Sequence, residues 1–124
     1  MNALIRMESR SDQIRSITRY DLAGHSHALT LDRISDALEA EDSSLIWVGL
    51  FEPDETLLFK MQIEFNLHPL AIEDAHKAHQ RSKVERYGNS LFIVINTAQI
   101  IDGAIVYGES HIFLGSNFIL TIRH

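Results

Sequence analysis

The residues best suited to chemistry lie between Phe65 and Tyr87, in the stretch FNLHPLAIEDAHKAHQRSKVERY. It contains His68, His76 and His79, the adjacent carboxylates Glu73 and Asp74, and a mixed-charge exit of Arg81, Lys83, Glu85 and Arg86. Adjacent helical positions project about 100° apart, so Glu73 and Asp74 face neighbouring directions and need not share one ligand. Both fall near the C-terminal end of a short predicted helix, where negative charge opposes the helix dipole and a cation or a basic partner relieves it. Two carboxylates without a rigid cage suit weak binding of a hard, hydrated cation such as Mg²⁺, which keeps most of its waters. The plainer alternative is a solvated acidic pair balanced by Lys77 or Arg81. Spacing alone leaves both readings open.

His76 and His79 stand at i, i+3, a separation that zinc ligands use on helices. No third ligand accompanies them, and the His-Glu-x-x-His arrangement of hydrolytic zinc is absent, so a surface pair is the plainer reading. A metal hydrolase using His76, His79 and an acid is the enzymatic rival, and stoichiometric zinc in the purified chain is its requirement. No Gly-x-Ser-x-Gly elbow, phosphate loop or dinucleotide fingerprint is present. Gly49, Gly103, Gly108 and Gly115 are isolated turn or strand glycines, and Trp47 reads as core rather than as a stacking platform. No enzyme is expected.

The elements that must position these residues follow from pattern. Residues 1–12 are polar after Ile5, and the first few are expected to be loosely held. Gln13–Leu22, rich in β-branched residues, predicts a strand, followed by a turn or loop over Ala23–His27. Leu31, Ile34, Ala37 and Leu38 recur at helical spacing, with Thr30 or Asp32 as cap. Leu45–Phe51 (LIWVGLF) predicts a strand buried on both faces. Pro53 and the acids at 52–55 open a helix whose stripe is Leu57, Leu58, Met61 and Phe65, closed by Asn66. His68-Pro69 starts a second helix at once, packed through Leu70, Ala71, Ile72 and Ala75, and frayed by Lys77–Gln80. The rest predicts a β-meander: strands at Ser82–Tyr87, Leu91–Ile100, Ala104–Leu114 and Phe118–Arg123. Its turns are Gly88-Asn89, a type I′ candidate at Asp102-Gly103, and Gly115–Asn117. The expected fold class is α+β, an α/β sandwich with a mixed, largely antiparallel sheet, helices on its faces and the meander at the C-terminal end. Two doubly apolar strands argue for cover on both faces, and a chain ending on FILTI argues for helical chain beyond it.

Composition narrows the partners. The chain has 124 residues, 45% of them hydrophobic, which suits one domain with one core. With no cysteine there is no disulfide framework, thiolate zinc site or thiol nucleophile. Seventeen acidic residues against eleven basic give a formal charge of −6, with the basic residues scattered among acids, which weighs against a nucleic-acid partner. The N-terminus lacks the apolar core of a signal peptide, and the longest apolar run, Leu91–Ile95, is far too short to span a bilayer as a helix.

Taken in order, WVGLFEPDE at 47–55, EFNLHPLAIEDAHKAHQRSKVERYGNSLFIVI at 64–95 and the closing FLGSNFILTIRH resemble the cytosolic N-terminal domain of CorA-type divalent-cation transporters, including their zinc-transporting branch. The resemblance covers about residues 45–124, and the ordered string is far more specific than any single spacing within it. It implies a homopentameric channel for Mg²⁺, Co²⁺ or Ni²⁺, or for Zn²⁺ in the related branch. The implied whole comprises a cytosolic α/β domain, a long stalk helix and two membrane helices with a Gly-Met-Asn pore motif. On that reading residues 1–124 are one soluble domain at the cytoplasmic face of a bacterial inner or plasma membrane, joined to the membrane only through helices absent from this sequence. The family's acidic pair after His-Pro-Leu helps bind regulatory Mg²⁺ at the subunit boundary with an acid of a neighbouring stalk. The matching residues are Glu73 and Asp74, with Mg²⁺ as the implied cation and Co²⁺ or Zn²⁺ as alternatives. Ser82 stands where the family usually has proline. A soluble interaction domain without metal sensing is the rival reading.

Overall fold

Strand β3, Leu45–Phe51, lies inside a seven-stranded sheet and joins its two halves. The structure, a computed structural model, describes residues 12–77 and 79–124; of the polar lead over residues 1–12, only Asp12 falls within it. On one side β3 pairs antiparallel with β1, Ile14–Tyr20, which in turn pairs with the short β2, Ser26–Ala28. On its other side β3 pairs in parallel with β7, Phe118–Arg123, in the register Val48 to Leu120. The sheet continues antiparallel through β6, Ala104–Leu114, and β5, Ser90–Ile101, to β4, Lys83–Tyr87, giving the order β2-β1-β3-β7-β6-β5-β4. The predicted mixed, largely antiparallel sheet is therefore observed, with one parallel pair. The expected loop at Ala23–His27 differs at its end: Ser26 and His27 belong to β2. That strand is exposed throughout and held by backbone pairing and by the His27 ring on Asp21 at 2.9 Å, so it carries no apolar alternation to announce it.

Alternation along the strands divides the sheet into two faces. Ile46, Val48 and Leu50 of β3, Phe92 and Val94 of β5, Phe113 of β6, and Leu120 and Ile122 of β7 are buried together. The helices complete that cluster. A 3₁₀ turn at Leu31–Arg33 leads into α1, Ile34–Glu39, which buries Ile34. Helix α2, Glu55–Phe65, buries all four predicted stripe residues, Leu57, Leu58, Met61 and Phe65. Each such side chain contributes about 1.5–3 kcal/mol on leaving water. Helix α3, Pro69–Ala75, adds Ala71, Ile72 and Ala75, whereas the fourth expected packing residue, Leu70, is exposed. The opposite face presents Leu45, Trp47, Ile93, Ile112 and Ile119 only half-buried, so cover on both faces is not found among the described residues. Trp47 lies on this second face and donates its indole N–H to Thr121 Oγ1 at 3.1 Å, across the parallel seam.

The helix ends follow local chemistry. Asp54 caps α2, its carboxylate accepting from the Leu57 N–H at 2.8 Å, which leaves Pro53 just before the cap rather than in the first turn. Asn66 ends α2 in the left-handed conformation, φ 51°. Thr30 precedes the 3₁₀ turn without capping it through its side chain; its hydroxyl donates to Asp32 instead. Asp102 and Gly103 both have positive φ, 50° and 78°, as a type I′ hairpin requires.

Helices α1 and α2 are tied by Glu64, which accepts from the Ser35 hydroxyl and pairs with Lys60 at 2.7 Å. Lys60 first, then Ser35, holds this carboxyl below the usual glutamate range. A depressed carboxyl stabilises the fold above its unfolded pKa, and that contribution disappears as pH falls through the depressed value. Glu64→Gln is therefore expected to cost on the order of 1 kcal/mol at pH 7, with the gap to the parent closing below about pH 4. Thermal melts of both proteins from pH 7 to pH 3 provide the check, and a gap that persists in acid would assign the loss to packing instead.

Candidate functional site

The site residues are placed by α3 and the loop that follows it. His68 caps α3: its Nδ1 accepts from the Leu70 N–H at 3.1 Å, and Pro69 takes the first helical position, where its missing N–H costs nothing. The cap ring also rests on Tyr87 of β4, with centroids 5.2 Å apart. Seven residues later the helix ends at Ala75, so Glu73 and Asp74 occupy its final turn as expected.

Their environments differ. Glu73 is exposed, whereas the Asp74 side chain retains only 13% of its accessibility. Asp74 Oδ2 receives the Lys83 ammonium at 2.5 Å, and the same ammonium lies 3.1 Å from Glu85 Oε1. The basic partner is thus Lys83, on β4, and neither Lys77 nor Arg81. Asp74, then Glu85, hold the Lys83 ammonium protonated above its usual range. Glu85 is in turn fixed by the Tyr87 hydroxyl, which donates to it at 2.7 Å; that bond and burial push the phenol up to about 12. Lys83 also passes 5.8 Å from the centroid of the buried Phe92 ring.

The loop from α3 to β4 is clamped by Gln80. Its side-chain amide donates to the carbonyls of Asp74 at 2.7 Å and Lys77 at 2.8 Å, satisfying acceptors the helix end leaves open. Its backbone N–H donates to Glu109 Oε1 at 2.8 Å. Glu109 and His111 face the core from β6: Glu109 Oε2 lies 2.6 Å from His111 Nε2, and His111 is fully buried. His111 Nδ1 is buried with no partner among the described residues. The His124 ring packs edge-on against it, centroids 4.6 Å apart, and burial foremost, then His111, lowers the His124 pKa below the ordinary histidine value. Sequence reading overlooked this pair, although the signal was available: Glu109, His111 and Phe113 share the period-2 register of a strand whose face must be buried.

His76 and His79 are exposed, and among the described residues no three histidine or carboxylate side chains converge tightly enough to hold a metal together. The arrangement at Asp74 supplies hard oxygen donors from one carboxylate already neutralised by an ammonium and a second, Glu73, that is exposed. That donor set fits a hydrated Mg²⁺ held through one or two carboxylates better than a transition metal, which favours imidazole or thiolate.

Comparison with known proteins bears on what carries this geometry. Residues 42–124 match the family model of the CorA-like Mg²⁺ transporter protein. YfjQ of Bacillus subtilis (strain 168), whose name assigns it to metal ion transport, is 30% identical over 97 residues, covering 78% of this chain and 30% of the relative. Among solved structures, the full-length CmaX protein superposes with a TM-score of 0.70 at 10% identity over 90% of this chain and 35% of its own. The soluble domain of CorA from Methanocaldococcus jannaschii gives 0.62 at 17% identity over 89% of this chain and 41% of its own. At those identities the likeness establishes the fold alone. The chain spans about a third of the length of the curated relative, and no described helix is long and apolar enough to cross a membrane.

Proposed function

The chain belongs to the CorA-like Mg²⁺ transporter family, and from that premise we propose that it is the cation-sensing cytosolic domain of a homopentameric divalent-cation transporter. Asp74 is the principal ligand and Glu73 a second or water-mediated one. The single observation that carries the assignment is the half-buried Asp74 carboxylate at a helix end, beside a freely exposed Glu73. Asp74 is rigid enough to define a position, and Glu73 can follow a hydrated ion. Each subunit offers half a site, which an acid from a neighbouring subunit completes. At high cytosolic Mg²⁺ the ion bridges acids that otherwise repel and favours the closed pore; as Mg²⁺ falls, the repulsion returns and the subunits loosen. The cation acts only through its preference for one of the two states. Mg²⁺ and Co²⁺ are the proposed cargo, with Zn²⁺ as the alternative of the related branch.

Asp74→Asn in the reconstituted transporter is expected to raise the Mg²⁺ concentration needed to inhibit uptake by about tenfold or more, the effect of removing a charged ligand. Inhibition unchanged from the parent would remove Asp74 from the site. One observation favours a second reading, an interaction domain without metal sensing: Asp74 already has a salt bridge, to Lys83. That reading predicts no effect of Mg²⁺ on thermal stability or assembly of the intact protein, in the parent as in the variant.

A further inference from the structure

We propose that Lys83 is a built-in competitor for the cation site, an ammonium that occupies Asp74 when no divalent ion is bound and so sets the concentration at which the site fills. The inference rests on the assignment of Asp74 as a cation ligand. Lys83 Nζ lies 2.5 Å from Asp74 Oδ2 and so occupies one of the two oxygens an incoming ion could take, on a side chain that retains only 13% of its accessibility. An ion that takes Oδ2 must displace the ammonium, and one that takes Oδ1 meets its positive charge beside it. A lysine held by one acid alone would be left as an unpaired cation beside a dication, at high cost. Lys83 has a second acid: Glu85 Oε1 stands 3.1 Å away on the same strand, and the Tyr87 hydroxyl holds that carboxylate in place. Lys83 can thus let go of Asp74 while keeping Glu85. Glu85 is the resting place that makes the exchange affordable in charge.

A brace would behave differently. If Lys83 merely steadied α3 and oriented Asp74, its removal would loosen the site and weaken cation binding. A competitor does the opposite, so the two roles differ in sign.

The test is a MgCl₂ titration of uptake inhibition in the reconstituted transporter at constant ionic strength, comparing the parent with Lys83→Met, Lys83→Arg, Glu85→Gln and Asp74→Asn. Lys83→Met, which keeps an unbranched apolar side chain without the charge, is expected to lower the Mg²⁺ midpoint by about fivefold, the scale of a partly exposed ion pair. Lys83→Arg restores the charge and returns the midpoint towards the parent. Glu85→Gln leaves Lys83 with Asp74 alone and raises the midpoint, giving an independent reading should Lys83→Met fail to fold. An unchanged or higher midpoint in Lys83→Met, or a lower one in Glu85→Gln, would overturn the competitor role while Asp74→Asn still raises the midpoint. If Asp74→Asn responds to Mg²⁺ like the parent, the site assignment itself fails and the role of Lys83 fails with it.

Discussion

Glu109→Ala is expected to destabilise the domain by about 3 kcal/mol, a large part of the 5–15 kcal/mol typical of a single domain. Both carboxylate oxygens are in use: Oε1 accepts the Gln80 backbone N–H and Oε2 meets His111 Nε2. Truncation removes both contacts at once. His111 is fully buried and its Nδ1 is already unpartnered, so the variant would leave an imidazole with neither nitrogen bonded. Each stranded buried polar group costs about 1–3 kcal/mol, more than the net value of the bond that was lost. The double variant Glu109→Leu with His111→Leu strands no imidazole and is expected to recover much of the loss. Urea unfolding of the parent, Glu109→Ala, Glu109→Leu, His111→Leu and the double variant measures the coupling directly. A Glu109→Ala value within 0.5 kcal/mol of the parent, the range of an ordinary surface substitution, would mean that water replaces the carboxylate and the pair is not structural.

Gly115→Ala is expected to cost about 2–3 kcal/mol although it adds a single methyl group. A Cβ built on Gly115 would fall within 3 Å of three atoms of the Phe118 ring. That ring cannot easily retreat. Phe118 is buried, stacks on Phe65 of α2 with centroids 4.5 Å apart, and begins the parallel register opposite Ile46. An overpacked methyl there must push the aromatic out of the core or shift the turn that starts β7. Phe118→Leu, which vacates the ring edge, should make the second substitution nearly neutral, so the double variant is expected to be little worse than Phe118→Leu alone. Strict additivity would show that the glycine is required for its backbone and not for the space it leaves.

Much of this architecture could be read in the chain because local chemistry and burial agree there. The LIWVGLF strand, the His-Pro helix start, the four-residue stripe of α2 and the Asp-Gly hairpin all have physical causes confined to a few neighbouring residues. β2 escaped notice because its three residues are exposed and polar or small, so no apolar alternation marks it; backbone pairing with β1 and the His27–Asp21 contact hold it. Leu70 looked like packing because apolar composition does not reveal which side of a short helix meets the sheet. The site shows the same division. Glu73 and Asp74 could be singled out and placed in a terminal helical turn, yet the expected counter-ions were Lys77 and Arg81, the nearest basic residues along the chain. The observed one is Lys83, which arrives only because Gln80 turns the loop back and β4 begins beside α3. Partners at helical spacing are visible in a sequence; those brought together by a clamped loop are not.

The parallel contact between β3 and β7 has a consequence for how the molecule is assembled. Every other neighbouring pair in the sheet is antiparallel, and most join strands adjacent in the chain, but the residues meeting across this seam, such as Ile46 and Phe118, are roughly seventy positions apart. Closing so long a loop costs conformational entropy before any of the seam's hydrogen bonds repay it. The hairpins on either side can form early and independently, whereas the seam, with Trp47 bonded across it to Thr121, can be completed only once both halves exist. Translation order then matters: the first half of the sheet leaves the ribosome with one edge of β3 unpaired and must wait for β7 to cover it.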